Sequence, residues 1–209
     1  MTNSIFKLIL LSGLACFQAS SQNTNQSLTS TDGSSKMLAE FKKSYSRQVG
    51  ASLKMLENAI LKADDKTWTA RINNMPFWQI CYHVLWYTDF YFHANQETFK
   101  SQSFDVQGLK DIQYKPDSLH VEMQKHPLSK SDMLLYHKYV KQKAFEFIQG
   151  INESYFTTPS PFEWHGFPMI DIVDYNLRHL QHHVAYLDII IRREQNMGSP
   201  WVMHAQLSD

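Results

Sequence analysis

Four stretches of this chain place apolar side chains at intervals of three and four residues, and polar or proline-bearing segments separate them. That period belongs to helices, because strand side chains alternate with a period of two. The clearest stretch runs Leu38, Phe41, Tyr45, Val49, Leu53, Leu56 and Ile60, one stripe along a first helix. A second helix begins at Pro76, which a first turn tolerates, and runs through Phe77 to Phe92 towards Thr98. Residues Lys100 to Leu128 are polar and aperiodic and read as a long connection. Ser129 or Ser131 caps a third helix reaching Gly150, with Leu134, Leu135, Val140, Phe147 and Ile148 on its buried side. After Pro159, Pro161 and Gly166, a fourth helix runs from Pro168 to Glu194. No internal repeat and no strand alternation follow Lys36. The expected fold is therefore all-α, a four-helix bundle with one long crossover connection.

Composition narrows the function classes. A length of 209 residues suits about one domain. With 43% hydrophobic residues the chain as a whole is not disordered. Twenty basic side chains balance twenty acidic ones, so no cationic surplus exists to neutralise phosphates and no nucleic-acid partner is expected. Seven Gly, seven Pro and two Cys exclude collagen-like, low-complexity and disulfide-framework proteins. Thirteen Phe, ten Tyr, five Trp and ten His are the departures from ordinary usage.

The N-terminus reads as a secretory signal. Lys7 precedes an apolar run from Leu8 to Phe17, and the small residues Ala19 and Ser21 follow. A ten-residue run rises only about 15 Å as a helix, half of a bilayer core, so no stable membrane span is expected. Residues 1–21 are assigned to a signal peptide and 22–35, rich in Ser, Thr, Asn and Gln, to a flexible linker. The bundle spans 36–195 and a tail 196–209, whose Trp201-Val-Met patch is expected to fold back on it. Lipid attachment at Cys16 ranks second, because Gly13 stands where such motifs prefer a branched aliphatic residue. The protein is expected outside the cytoplasm, periplasmic or extracellular.

Helix residues advance by about 100° each, which places the histidines around their axes. With His179 at the origin, Met169, Ile172, Val173, Leu180, Val184, Leu187, Ile190 and Ile191 fall between about 20° and 140°. His183 lies at about 40°, inside that sector, whereas His182 lies at about −60° beside Tyr175 and Arg178 on the wet side. On the second helix Phe77, Ile80, Val84, Tyr87 and Tyr91 form the apolar face. His83 stands at its margin, with Tyr82, Asp89 and His93 opposite. Side chains four apart on a helix have Cβ atoms about 5–6 Å apart, so His179 and His183 can converge on one ion, and His83 from a facing helix completes a three-nitrogen site. Three protein ligands leave a position open, as catalytic metal sites do. His120, His126, His137, His165 and His204 read as solvated, with His165 placed where its loop could cover one end of the site. Cys81 reads as core.

The helix opening Pro76-Phe-Trp-Gln-Ile-Cys-Tyr-His83 and the last helix His179-Leu-Gln-His-His183-Val-Ala-Tyr-Leu resemble the DinB-like family of metal-binding four-helix bundles, over about Lys36 to Glu194. The resemblance implies a divalent metal on His83, His179 and His183, with zinc, nickel, manganese and iron not distinguished. Many relatives carry Arg-Gly-Gln after the last His. Val184-Ala-Tyr stands here, so no role of that Arg carries over.

Three functional classes follow. A metal-dependent hydrolase would use the ion to acidify water, although no general base is assignable: Asp89 faces away, and Asp171 and Asp174 have no clear aim. Asn176, one turn before His179, is a candidate supporting partner or an inward-packed core residue. A thiol-dependent transferase or isomerase, an activity known among DinB-like relatives, fits an exported protein less well. A non-catalytic metal-binding or structural bundle is the third. The substrate is a small molecule of unknown identity, and a homodimer is a possible assembly. N-terminal sequencing of protein from its native cells is expected to begin near Gln22, in a fraction outside the cytoplasm. Intact Met1 on cytoplasmic protein would contradict the export reading.

Overall fold

A computed structural model describes residues 26–93, 99, 108–111 and 118–208. The signal-peptide segment 1–21 lies outside the described residues. Among them, six α-helices run as α1 (Gln26–Lys62), α2 (Asp65–Thr69), α3 (Phe77–Tyr91), α4 (Ser118–Met123), α5 (Lys130–Gly150) and α6 (Met169–Gln195). The strands β1 (Arg71–Ile72) and β2 (Met75–Pro76) form a two-residue antiparallel ladder, and a 3-10 turn covers Glu153–Phe156. The protein is thus predominantly helical, as the periodicity required. None of these helices is long and apolar enough to cross a membrane. Met37–Asp209 forms one compact unit, apart from the chain up to Lys36.

Each element ends where its sequence gives a reason. Asp64 accepts the Thr67 amide at 2.7 Å and caps α2, and Ser129 accepts the Asp132 amide at 3.1 Å and caps α5. Asn73 turns the small hairpin with a φ of 54°, a left-handed conformation that Asn tolerates better than most residues. Pro76 precedes the first turn of α3 and Pro168 that of α6, where neither ring removes a helical hydrogen bond.

The core sits around α3, which packs more extensively on α6 than on α5. All of α3 but Tyr87 is buried, including Tyr82 and Asp89, which were expected on a solvated side. Its far side is covered by α5: Tyr136 on that helix donates its hydroxyl to the Asp89 carboxylate at 3.1 Å. α1 joins the same core through Val49, Leu53, Leu56 and Ile60. It is tied to α5 by His137 Nε2 and the Leu53 carbonyl (2.8 Å), and to α6 by the Ser52–Gln181 side-chain bond.

Several expectations need correction. α3 ends at Tyr91, with the Phe92 amide capped by the Asp89 and Phe90 carbonyls, and does not extend towards Thr98. α1 begins at Gln26, so most of the segment assigned to a flexible linker is helical; once a helix is nucleated, each further residue adds a hydrogen bond. The connection between α3 and α5 is not merely polar: Leu109 and His120 are buried and α4 lies within it. On α5 the buried stripe is Met133, Tyr136, His137, Val140, Ala144 and Ile148, and Leu135 faces solvent. A core position for His137 was missed because its flanking lysines suggested a wet face, whereas its Nε2 is satisfied by a carbonyl across the helix interface. The tail does return to the core, but through Val202 and Leu207, leaving Trp201 75% exposed.

That return depends on Gly50. A Cβ there would stand 2.1 Å from the Ala205 carbonyl oxygen, so the tail passes directly over the bare α1 backbone. Gly50→Ala is expected to lower stability by about 1–3 kcal/mol in the full chain. It is expected to cost nothing, or to stabilise slightly, in a chain ending at Gln195, as Ala favours helix. Urea denaturation of the four species checks this, and equal losses with and without the tail would contradict it.

Candidate metal centre

α3 brings one histidine and α6 two to a common point. His179 and His183 stand one turn apart on α6, which carries a continuous buried stripe of Ile172, Val173, Asn176, Leu180, Val184, Leu187, Ile190 and Ile191. Packing that stripe on α3 turns both rings towards His83. The Nε2 atom of His83 lies 3.2 Å from Nε2 of His179 and 3.2 Å from Nε2 of His183. Candidate ligand atoms of all three lie within 4.8 Å of one another, close enough to hold one metal ion. All three residues expected from the sequence are therefore together, and His182, as expected, is exposed.

The second nitrogen of His83 is also specified. Nδ1 lies 2.5 Å from the Lys110 carbonyl, an acceptor, so Nδ1 carries the proton and donates it. Nε2 is then left with a bare lone pair facing the other two rings. An outer carbonyl that sets the tautomer in this way is the usual support of a metal-ligating imidazole. Two nitrogens at about 2.0–2.1 Å from an ion in tetrahedral geometry stand about 3.3 Å apart, close to the spacings here. The Nδ1 of His179 is buried and finds no protein partner.

The segment supplying that carbonyl is held by α3 itself. Gln79 Nε2 donates to the Leu109 carbonyl (3.3 Å) and the Asp111 carbonyl (3.4 Å), and Leu109 is buried between these contacts. Gly108 opens the turn with a φ of 79°, in the region that favours glycine. Three successive carbonyls thus accept bonds from α3 side chains, which fixes Lys110 beside the histidines.

A cavity of about 530 Å³ opens on His83 and His179, and a smaller one of about 220 Å³ opens on His83 and His183 from the other side. The larger is walled by aromatic rings. Tyr87 packs 4.8 Å from His83 and 5.5 Å from His179 between ring centroids, and Tyr175 stacks on His179 at 6.3 Å. Sequence reasoning had put Tyr175 on the wet side. It lies half-buried in the wall because Trp164, 5.7 Å away, covers it. The cover expected of the loop around His165 is thus made by its Trp164. His165 itself is buried, not solvated, held by the packing of its own loop, where its ring meets Trp164 and Phe167. Lys110 and Trp164 sit in segments without periodicity, so nothing in their spacing announced them. Tyr87 and Tyr91, four and eight residues past His83, share its helical stripe and were legible.

Electrostatically the cluster is built for neutral imidazole. Burial, only partly offset by the Lys110 carbonyl, holds the pKa of His83 down to about 4. Burial and then the neighbouring histidines lower His179 to about 3 and His183 to about 2. Asp89 is not part of the site: it is fully buried and bonded to Tyr136 and to His93 Nε2 (3.2 Å). Asn176 donates to the Thr88 carbonyl at 3.1 Å and not to a histidine, so it is an inward-packed core residue. Cys81 is buried, and burial pushes its thiol well above the usual range, which suits core packing and not chemistry.

No family model, curated protein or solved structure matches this chain. The chemistry of the centre therefore rests on its own residues.

The depressed pKa values carry a sign for stability. The unfolded chain takes up a proton at each histidine below about pH 6.5, and the folded protein does not until about pH 4 for His83 and lower for the other two. Stability of metal-free protein is therefore full above pH 6.5 and falls below it, by up to about 1.4 kcal/mol per pH unit for each histidine. Urea denaturation in chelator at pH 7 and pH 5 checks this. The difference between the two should shrink in His179→Gln and His183→Gln, and an unchanged difference would contradict it.

Proposed function

We propose that this protein is an exported DinB-like four-helix bundle that holds a divalent metal ion on His83, His179 and His183 and uses it in hydrolysis. α1, α3, α5 and α6 would be the four helices, with the chain between α3 and α5 as the long crossover. The observation that carries the reading is the convergence of three Nε2 atoms, two of them 3.2 Å from His83, whose Nδ1 is already committed to the Lys110 carbonyl. Unmetallated, that arrangement gathers imidazole nitrogens, largely buried and with few hydrogens to share, which is costly unless a cation joins them.

Three imidazoles suit zinc, iron and nickel, and three protein ligands leave coordination open towards the two cavities. A divalent ion in such a site supplies Lewis-acid polarisation and acidifies bound water. The chain's own contribution is positional. The Lys110 carbonyl orients His83, the α6 stripe orients His179 and His183, and the aromatic wall lines the larger cavity.

Elemental analysis of untagged protein is expected to find about one divalent ion per chain. Loss of an outer hydrogen-bond partner of a ligand typically weakens metal binding by about 10–100-fold. His83→Ala, His179→Ala or His183→Ala, each removing a ligand itself, should therefore cost at least about tenfold. His182→Ala and His93→Ala should leave the metal in place. Circular dichroism on each variant separates ligand loss from unfolding. Metal retained at full occupancy in all three of the first group, or helical protein without metal throughout, would overturn the reading. Hydrolysis of generic esters by metal-loaded protein, lost in the same three variants, is the expected activity.

A further inference from the structure

The larger cavity has a composition that selects a class of ligand. Its walls are Trp86, Tyr87, Tyr91, Trp164 and Tyr175, with Lys110 among them and His83 and His179 at the floor. Its volume, about 530 Å³, falls in the range of small-molecule sites. Aromatic walls of this kind accept either a planar ring, by stacking and edge contacts, or an organic cation over the ring faces. The two are separated by charge. Among the described residues, Lys110 is the only formally charged side chain lining this cavity, and its Nζ already stands 5.1 Å from the Trp86 ring centroid and 5.8 Å from that of Tyr87. The place an organic cation would take over the Trp86 and Tyr87 rings is thus occupied by the protein's own ammonium.

Lys110 is also fixed in place. Its backbone carbonyl holds His83, and its Nζ donates to Asp111 at 2.7 Å, leaving two of three ammonium donors. Trp164, 53% exposed, forms the outer wall against Tyr91 and Tyr175, with centroids at 6.0 and 5.7 Å.

We infer that this cavity binds small aryl carboxylates, the ring seated among Tyr87, Tyr91, Trp164 and Tyr175 and a carboxylate oxygen on a free donor of Lys110. The inference rests on the metal reading only in taking the cavity as the substrate side of that centre. It is tested by binding, with metal content measured separately on the same samples.

Isothermal titration of the full-length protein is made with 1-naphthoate, 1-naphthylmethylammonium and hexanoate as probes. Naphthoate is expected to bind saturably and at least about tenfold more tightly than either of the others. Lys110→Gln, which keeps the backbone carbonyl, should weaken naphthoate by about tenfold. Trp164→Ala, on a half-exposed side chain whose loss should not unfold the core, should weaken it as well. Equal binding of the ammonium probe overturns the charge assignment, and equal binding of hexanoate overturns the aromatic one. Absence of naphthoate binding overturns the inference whatever the metal content. Naphthoate binding to protein that holds no metal would instead remove the metal reading and leave the ligand class standing.

Discussion

The burial of α3 along its whole length, with Tyr87 alone partly exposed, is the constraint on which the rest of this structure depends. A helix covered on every side must find protein partners for each polar group it carries, because an unpaired one costs about 1–3 kcal/mol. α3 carries Gln79, His83, Thr88 and Asp89, all buried, and of their side chains only the Thr88 hydroxyl finds no partner among the described residues. Gln79 binds the carbonyls of Leu109 and Asp111 and accepts from Gln124, drawing in the turn at 108–111 and the chain after α4. His83 binds the carbonyl between those two and faces α6. Asp89 takes the hydroxyl of Tyr136, a residue of α5. Satisfying one helix thus positions three other parts of the chain.

The candidate centre is a product of the same demand. Its innermost candidate ligand lies on the largely buried α3, and the other two lie on α6, which packs closely on it. Desolvation, which makes the imidazoles resist protonation, also makes their convergence unfavourable without a cation. The aromatic wall extends that dry environment outward, with Tyr87 against two of the three rings and Trp164 closing over Tyr175. Function and fold therefore draw on the same buried surface, and the lysine that lines the cavity is held by the carbonyl that sets the tautomer of His83.

Legibility followed periodicity. α6 has one wet and one dry side, so a rotation of about 100° per residue separated His179 and His183 from His182 correctly. The same arithmetic on α3 found His83 but misjudged Tyr82 and Asp89, because a helix wrapped on all sides has no wet face to infer. On α5, Leu135 and His137 exchanged their expected environments: the leucine faces water and the histidine meets a carbonyl of α1. Hydrophobicity ranks side chains, but a buried hydrogen bond can override the rank.

By itself the sequence determined the helical class, the approximate spans of the four long helices, a serine cap for the third at Ser129 or Ser131, and the trio of inward histidines. Each follows from local spacing or from a side chain acting on its own backbone. Only the tertiary structure decided that the Lys110 carbonyl orients His83, that Trp164 and Tyr175 wall the cavity, and that Gly50 admits the tail. These depend on backbone atoms, whose chemistry is the same at almost every residue, and on contacts between segments far apart in the chain. No side-chain pattern encodes such contacts until the helices have packed.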